Sequence, residues 1–444
     1  MSTPQPAYLP DSLTITTWGH SWYTRSAPGE PFADLDRAMA ETAERGFNTV
    51  RICAMPFLLC SSGLDTSALT FTGFSGGYAD GTPWYHLPHP VTLDGKERLV
   101  QLFEAARRHD CYVALSSWEY QQSACLFEDS SWFSALREVR RRHRPAALAD
   151  AMARVVDLLA TRRLADRIAY VELHHEVEGT WLAEAVPARD PVLVGLQSSL
   201  EAAIARFKMR HPSLLVGFGF SPVPVDQMRG LPRNADLALF QPEVEGVLGE
   251  LVDTFALRDP LRAFPQERAQ RELLRPGAPA LHDWSCRPED EWRRKASLIS
   301  HREIYLHDWC DPYRLDHWLV DRYPYHRIAM TRLLRTWTEV AADWAASQEI
   351  PLVFGDGWIG AVPRCSTLEQ GPVGQETCEE GVNQARRIGA WGTAVCSTAA
   401  PHRTGWADIP RLRRLTSLFS GAPVRSLSVG RSVHAALDRT AMTL

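Results

Sequence analysis

Eight apolar, β-rich runs separated by stretches of helical spacing constrain this chain more than any other feature. The runs cover residues 13–18, 48–56, 111–117, 214–220, 236–241, 350–354 and 391–396, with a further one opening at Ile168. Between them, residues 33–45, 146–160, 191–210, 331–346, 379–389 and 412–419 place apolar side chains three and four apart, the helical period. A further helix is expected after Asp94, an N-cap with Glu97 three residues on. Strands alternating with helices predict parallel βα units. Eight such units predict a closed (β/α)8 TIM barrel, which takes about 250 residues. The surplus falls in a long Ser-, Gly- and Pro-containing loop after strand 2, residues 58–90, and in an insertion between strands 6 and 7, residues 247–348. A single barrel domain is expected over residues 12–425, with a weakly patterned C-terminal tail at 426–444. The competing open doubly wound sheet carries a glycine-rich phosphate turn after its first strand. Here that position reads Trp18-Gly19-His20-Ser21-Trp22, and no GxGxxG or P-loop follows any strand.

Composition narrows the classes of partner. The 444 residues carry a net charge of −5, which argues against nucleic acid. The basic run at residues 137–144 reads as a solvated helix end. No stretch of about 18 apolar residues predicts a membrane span. The first residues, Met-Ser-Thr-Pro-Gln-Pro-Ala-Tyr, lack the basic start and apolar core of a secretory signal, so a cytoplasmic protein is expected. Nine cysteines without CxxC spacing read as reduced thiols and not as a disulfide framework or a zinc site.

In a barrel the catalytic groups come from the C-terminal ends of strands. The strand opening at Ile168 breaks into His174, His175, Glu176 and Glu178, making Glu176 a candidate catalytic acid. The first strand ends in Trp18, His20 and Trp22, the third in Trp118 and Glu119, and the seventh in Asp356 and Trp358. Tryptophan faces stack on the apolar faces of sugar rings, and carboxylates and histidines bond hydroxyls. Each tryptophan taken singly reads as a core residue sooner than a site residue; their recurrence at three strand ends points to a carbohydrate cleft. Two acids on different strands facing one cleft are what glycoside hydrolysis requires. Arg51 lies inside the second strand, and a buried arginine needs an anionic partner.

These residues resemble a known family. Gly46-Phe47-Asn48-Thr49-Val50-Arg51 resembles strand 2 of the cellulase-like barrel glycoside hydrolases, Glu172-Leu173-His174-His175-Glu176-Val177 their strand-4 phrase, and Pro351-Leu352-Val353-Phe354-Gly355-Asp356-Gly357 their strand-7 phrase. The resemblance implies a retaining clan with Glu176 as acid/base, Asp356 as nucleophile, and Arg51 orienting and ionising Asp356. It departs from the family at His175, where asparagine is usual, around strand 6, and at Asp356, where glutamate is usual. Aspartate is one methylene shorter, and the glycines flanking it are expected to let the backbone approach a ligand. Trp18, His20, Trp22, Trp118, Glu119, His175 and Trp358 are the expected sugar-site residues.

The expected activity is therefore hydrolysis of a small intracellular glycoside or oligosaccharide. The partner is a carbohydrate or glycosylated small molecule; no cofactor, metal, nucleic acid or membrane is expected, and no oligomeric state is implied. Two other readings fit the same residues. One is a non-catalytic sugar-binding barrel that keeps the cleft. The other is a metal-dependent hydrolase using His174, His175 or the repeated phrase Leu281-His282-Asp283-Trp284 and Leu306-His307-Asp308-Trp309; the absence of HxH spacing on strand 1 counts against it.

Overall fold

The structure, a computed structural model, describes residues 6–421; the expected tail at 426–444 lies outside the described residues. Among the described residues eleven strands occur in chain order: β1 (Leu13–Gly19), β2 (Thr49–Cys53), β3 (Leu69–Phe71), β4 (Val91–Leu93), β5 (Tyr112–Ser116), β6 (Ile168–Glu172), β7 (Val216–Gly217), β8 (Gly219–Phe220), β9 (Ala238–Phe240), β10 (Leu352–Phe354) and β11 (Gly392–Ala394). Nine of them form one sheet in the order β7-β6-β5-β2-β1-β11-β10-β9-β8. Every pairing in it is parallel, and helices connect the strands, so the fold is a nearly closed α/β barrel of the TIM type.

The fifth expected strand accounts for both ends of that sheet. It breaks at Phe218 into β7, bonded to β6, and β8, bonded to β9. One short run thus touches both neighbours and brings the ring together. Glycines flank the break because there is no room for more. A Cβ at Gly217 would stand 3.0 Å from the Leu237 carbonyl oxygen, and one at Gly219 would overlap the Glu172 carboxylate.

Side chains alternate across each strand. Leu13, Ile15, Ala114, Tyr170, Leu239 and Val353 gather into one apolar cluster, while Val50, Ile52, Val113, Leu115 and Val171 join the larger cluster shared with the helices. Parallel strands buried on both faces read as continuous apolar runs, which is why they are visible in the sequence.

The two excursions hold more structure than their composition predicts. The loop after β2 begins with the helix Pro56–Cys60, and its β3 pairs antiparallel with β4. The expected helix at 331–346 is the end of a 36-residue helix, Pro312–Ser347, that runs through Pro324. The repeated His-Asp-Trp phrase joins the two excursions. Asp308 accepts from the backbone N–H of Ala79 and of Gly81, both at 2.6 Å, and Trp284 stacks on Tyr78 at 4.5 Å. Among the described residues no three His, Cys, Asp or Glu side chains converge as a metal site. No helix among them is long and apolar enough to cross a membrane.

Candidate active site

A cleft of about 930 Å³ opens over the C-terminal ends of the barrel strands, lined by Trp18, Trp118, Glu176 and Asp356 among others. That is at the upper end of the range for small-ligand sites. Glu176 follows β6, and Asp356 follows β10 by two residues. One imidazole nitrogen brings the two acids together: His175 Nε2 stands 3.5 Å from Glu176 Oε1 and 3.8 Å from Asp356 Oδ2. The carboxyls therefore cannot be farther apart than those two distances laid end to end. That limit includes the 5–5.5 Å of retaining glycosidases and only the lower end of the inverting range.

The backbone at Glu176 is left-handed, φ 50° and ψ 55°. A side chain there costs about 1–2 kcal/mol, and such strain collects at functional sites. Gln121 Nε2 donates to Glu176 Oε2 at 2.7 Å and fixes the carboxyl. Asp356 accepts from the Gly357 N–H at 3.3 Å. Burial raises the Asp356 pKa, outweighing the attraction of Arg51 and His175, and the nearby Glu176 adds to the rise. This differs from the expectation that Arg51 would hold the acid ionised.

The reason lies in how Arg51 is shared. Its nearest carboxylate is Glu172, the last residue of β6, which accepts from Nε at 2.8 Å and from Nη2 at 2.6 Å. Asp356 stands farther off, at 3.6 Å from Nη1. Glu172 also contacts His175 Nδ1 at 3.2 Å and Gln241 Nε2 at 3.4 Å. Although burial opposes its charge, Arg51 holds Glu172 far below the usual carboxylate range. Arg51 Nη2 makes a further short contact to His175 Nδ1. His175 Nδ1 thus lies between Arg51 and Glu172, and Nε2 faces the two cleft acids.

Arg51 and Glu172 have side chains 2% and 1% exposed, so this is a buried pair. Removing one partner strands the other. Arg51→Met is expected to cost about 3–5 kcal/mol of stability. The double variant Arg51→Met/Glu172→Leu is expected to recover part of that loss, and urea unfolding of the two variants checks it. Equal losses would mean the pair is not what holds the strands.

The aromatic strand ends divide. Trp18 and Trp118 line the cleft, and the Trp118 ring lies 4.7 Å from that of His175. His20 lines it too; its Nε2 bonds Ser123 Oγ at 2.8 Å, and burial pushes its pKa down to about 3. Trp22 and Trp358 are fully buried away from the cleft. Trp22 Nε1 donates to the Cys53 carbonyl at 3.2 Å, and Trp358 packs on Phe354. Glu119, expected in the sugar site, caps the helix Pro56–Cys60 instead. It accepts from the N–H groups of Phe57 at 3.0 Å and Leu58 at 2.9 Å, and burial raises its pKa to about 7. The glycines around Asp356 also serve packing and not ligand approach. A Cβ at Gly357 would overlap Ser397, and one at Gly355 would stand 3.3 Å from Gln241 Nε2. His174 is structural: its Nε2 accepts from the Tyr120 N–H at 3.1 Å.

Several lining residues escaped the sequence reading. Trp84 comes from the loop after β2 and Trp337 from the helix Pro312–Ser347, and both are partly exposed, as a stacking platform must be. Glu243, three residues past β9, lines the cleft as a third carboxyl; burial, then Asp356 and Glu176, push its pKa well above the usual range. Arg403, in the turn after β11, lines it as well.

A family model described as sugar-binding cellulase-like matches residues 15–234. That span includes Arg51, His175 and Glu176. Among solved structures, a Parabacteroides distasonis protein provisionally described as a glycoside hydrolase is similar at 20% identity, covering 96% of this chain and 98% of its own, with a TM-score of 0.67. A family 5 glycoside hydrolase from Prevotella bryantii matches at 9% identity, 94% and 99% coverage and a TM-score of 0.49. An endo-1,4-β-mannanase from Rhizomucor miehei matches at 10% identity, 95% and 99% coverage and a TM-score of 0.48. The first of these agrees with the barrel in fold. Comparison with curated proteins returns no match.

Proposed function

We propose that this protein hydrolyses a glycosidic bond in a small intracellular glycoside or oligosaccharide, with retention, using Glu176 as acid/base and Asp356 as nucleophile. The observation that supports this most is the placement of both carboxyls beside His175 Nε2 in one cleft over the barrel. In the first step an Asp356 oxygen attacks the anomeric carbon. The bond from that carbon to the leaving oxygen breaks, and Glu176 gives its proton to that oxygen. In the second step Glu176 takes a proton from water, whose oxygen attacks the same carbon and releases Asp356. Trp84 and Trp337 would stack on sugar rings along the cleft.

A second reading, a non-catalytic sugar-binding barrel, is favoured by one specific feature. Arg51 bonds Glu172 closely and leaves Asp356 at 3.6 Å, so the shorter acid is not held in the manner the family resemblance implies. A panel of aryl glycosides and oligosaccharides, followed by NMR of the first-formed sugar, separates the readings. A product of retained configuration is expected. An inverted product would make Asp356 a general base, and sugar binding without hydrolysis of any glycoside would favour the second reading.

A further inference from the structure

Arg403 is a cation in the cleft wall that no carboxylate contacts among the described residues. Among the described residues its guanidinium makes no hydrogen bond and no ion pair; only its backbone is engaged, the N–H donating to the Ala400 carbonyl at 2.8 Å and the carbonyl accepting from the Trp406 N–H at 3.2 Å. Glu369 and Asp356 attract it from a distance, but both have other partners. Glu369 accepts from the N–H groups of Ser397 at 2.7 Å and Thr398 at 2.6 Å, and from the Thr398 hydroxyl. Asp356 is shared between Arg51 and the Gly357 N–H. Withdrawal from water outweighs both acids and lowers the Arg403 pKa to about 10.

The neighbours of Arg403 deepen the imbalance. His402 also lines the cleft, and its Nδ1 is buried without a partner among the described residues. Arg25 and Arg364 repel Arg403, and Arg25 and His86 repel a proton on His402. Arg25 is matched by Glu30 at 2.6 Å, and Arg364 donates to the Asp80 carbonyl at 3.1 Å. Arg403 has no such counterpart. A partly desolvated guanidinium is a planar fork that suits a carboxylate, sulfate or phosphate, and it gains most from an anion that arrives with the ligand.

We propose that the cleft takes an anionic sugar, whose acid group is bound by Arg403 on the β11 side. This rests on the reading that the cleft binds carbohydrate, and it names the class. The acids on the other side of the cleft do not forbid such a ligand. Glu245 and Glu303 are both paired with Arg258, at 2.6 and 2.7 Å, and burial pushes the Glu243 pKa well above the usual carboxylate range. They do orient it, with the anion toward Arg403 and the neutral ring toward Glu176 and Asp356.

Equilibrium binding tests this without reference to turnover. The probes are neutral gluco-, galacto- and manno-disaccharides, each compared with its uronate, 6-sulfate and 6-phosphate counterpart by calorimetry. At least one anionic member is expected to bind about tenfold more tightly than its neutral parent, or about 1.4 kcal/mol. Raising salt from about 0.05 to 0.5 M should erode that ratio and spare the neutral sugars. Arg403→Gln should bring the ratio to about one and Arg403→Lys should keep part of it. Thermal unfolding of both variants is expected to match wild type, because the side chain makes no internal bond. Which anion binds best decides between carboxylate, sulfate and phosphate. Neutral sugars binding as tightly as every anionic partner, a ratio untouched by Arg403→Gln, or no binding across the panel would each overturn the proposal. An anion preference lost in Arg403→Gln, without hydrolysis of any glycoside, would sink the catalytic reading and leave this one standing. Hydrolysis with no anion preference would do the reverse.

Discussion

Asp356→Ala is expected to lower turnover by about 10⁴-fold or more, on the scale of removing a nucleophile that works as part of a unit. The loss should be specific in kind. Deleting the side chain leaves an opening beside the anomeric carbon that a small anion can enter. Azide or formate should then restore part of the rate on an activated aryl glycoside and give a glycosyl azide or formate of inverted configuration. A mechanism-based fluoro-sugar should label the wild-type protein at Asp356 and fail to label the variant. Inverted product from the wild type, or a variant that retains full activity, would remove Asp356 from the nucleophile role.

The same residue predicts a pH dependence. Asp356 must be ionised to attack, and burial together with Glu176 raises its pKa against the pull of Arg51. A raised pKa means the carboxyl takes up its proton at a higher pH as the medium is acidified. Activity as kcat/KM should therefore fall on the acid side above the ordinary aspartate range. Glu172 does not share that behaviour, because Arg51 holds it ionised far into acid. An acid limb at or below the pH of an ordinary aspartate would mean that Arg51 serves Asp356 before Glu172.

The strands were legible in the sequence because parallel strands buried on both faces read as apolar runs, as Ile168-Ala169-Tyr170-Val171 does and as Val50-Arg51-Ile52-Cys53 does apart from its arginine. Arg51 stood out for the same reason: a charge within such a run has to meet another, although the sequence pointed to Asp356 and the nearer partner is Glu172. What the sequence carries poorly is the direction of a side chain once the strand has ended. Trp118 and Glu119 are adjacent, yet one lines the cleft and the other caps the helix Pro56–Cys60, whose free N–H groups decide the matter. Trp22 and Trp358 sit close to strand ends as Trp18 does, but their indoles fill core space. Trp84, Trp337, Glu243 and Arg403 come from loops and a helix whose approach to the barrel mouth is fixed only by tertiary packing. The Pro242-Glu243-Val244-Glu245 stretch offered a signal for Glu243, an acid just past the sixth barrel strand. Nothing local marked Arg403. Pro324 reads as a helix breaker, which hides the first half of the helix Pro312–Ser347; Trp337 lies in the half that was expected.

Glu176→Gln separates the acid/base role from mere binding. Glutamine keeps the shape and can still meet Gln121, but it neither gives up nor takes a proton. The cost should then follow the leaving group. On an alkyl glycoside or an oligosaccharide the departing oxygen needs a proton, and kcat/KM is expected to fall about 10²–10⁴-fold, the usual worth of general acid–base catalysis. On a nitrophenyl glycoside the departing phenolate needs no proton, so formation of the glycosyl-enzyme should be nearly unchanged. The second step still needs Glu176 to take a proton from water. A burst of nitrophenol followed by slow turnover is therefore expected, and azide, which attacks without losing a proton, should remove the slow phase. The left-handed backbone at Glu176 gives a further check, since φ 50° is set by the turn after β6 and not by the carboxyl. Glu176→Gly should relieve the strain while abolishing the same proton transfers. Matching kinetic losses in the Gln variant, which keeps the strain, and the Gly variant, which relieves it, would assign the loss to the missing carboxyl. Equal losses on good and poor leaving groups would instead make Glu176 a binding residue, and the acid would have to be sought at Glu243, a carboxyl of the same cleft whose pKa burial pushes well above the usual range.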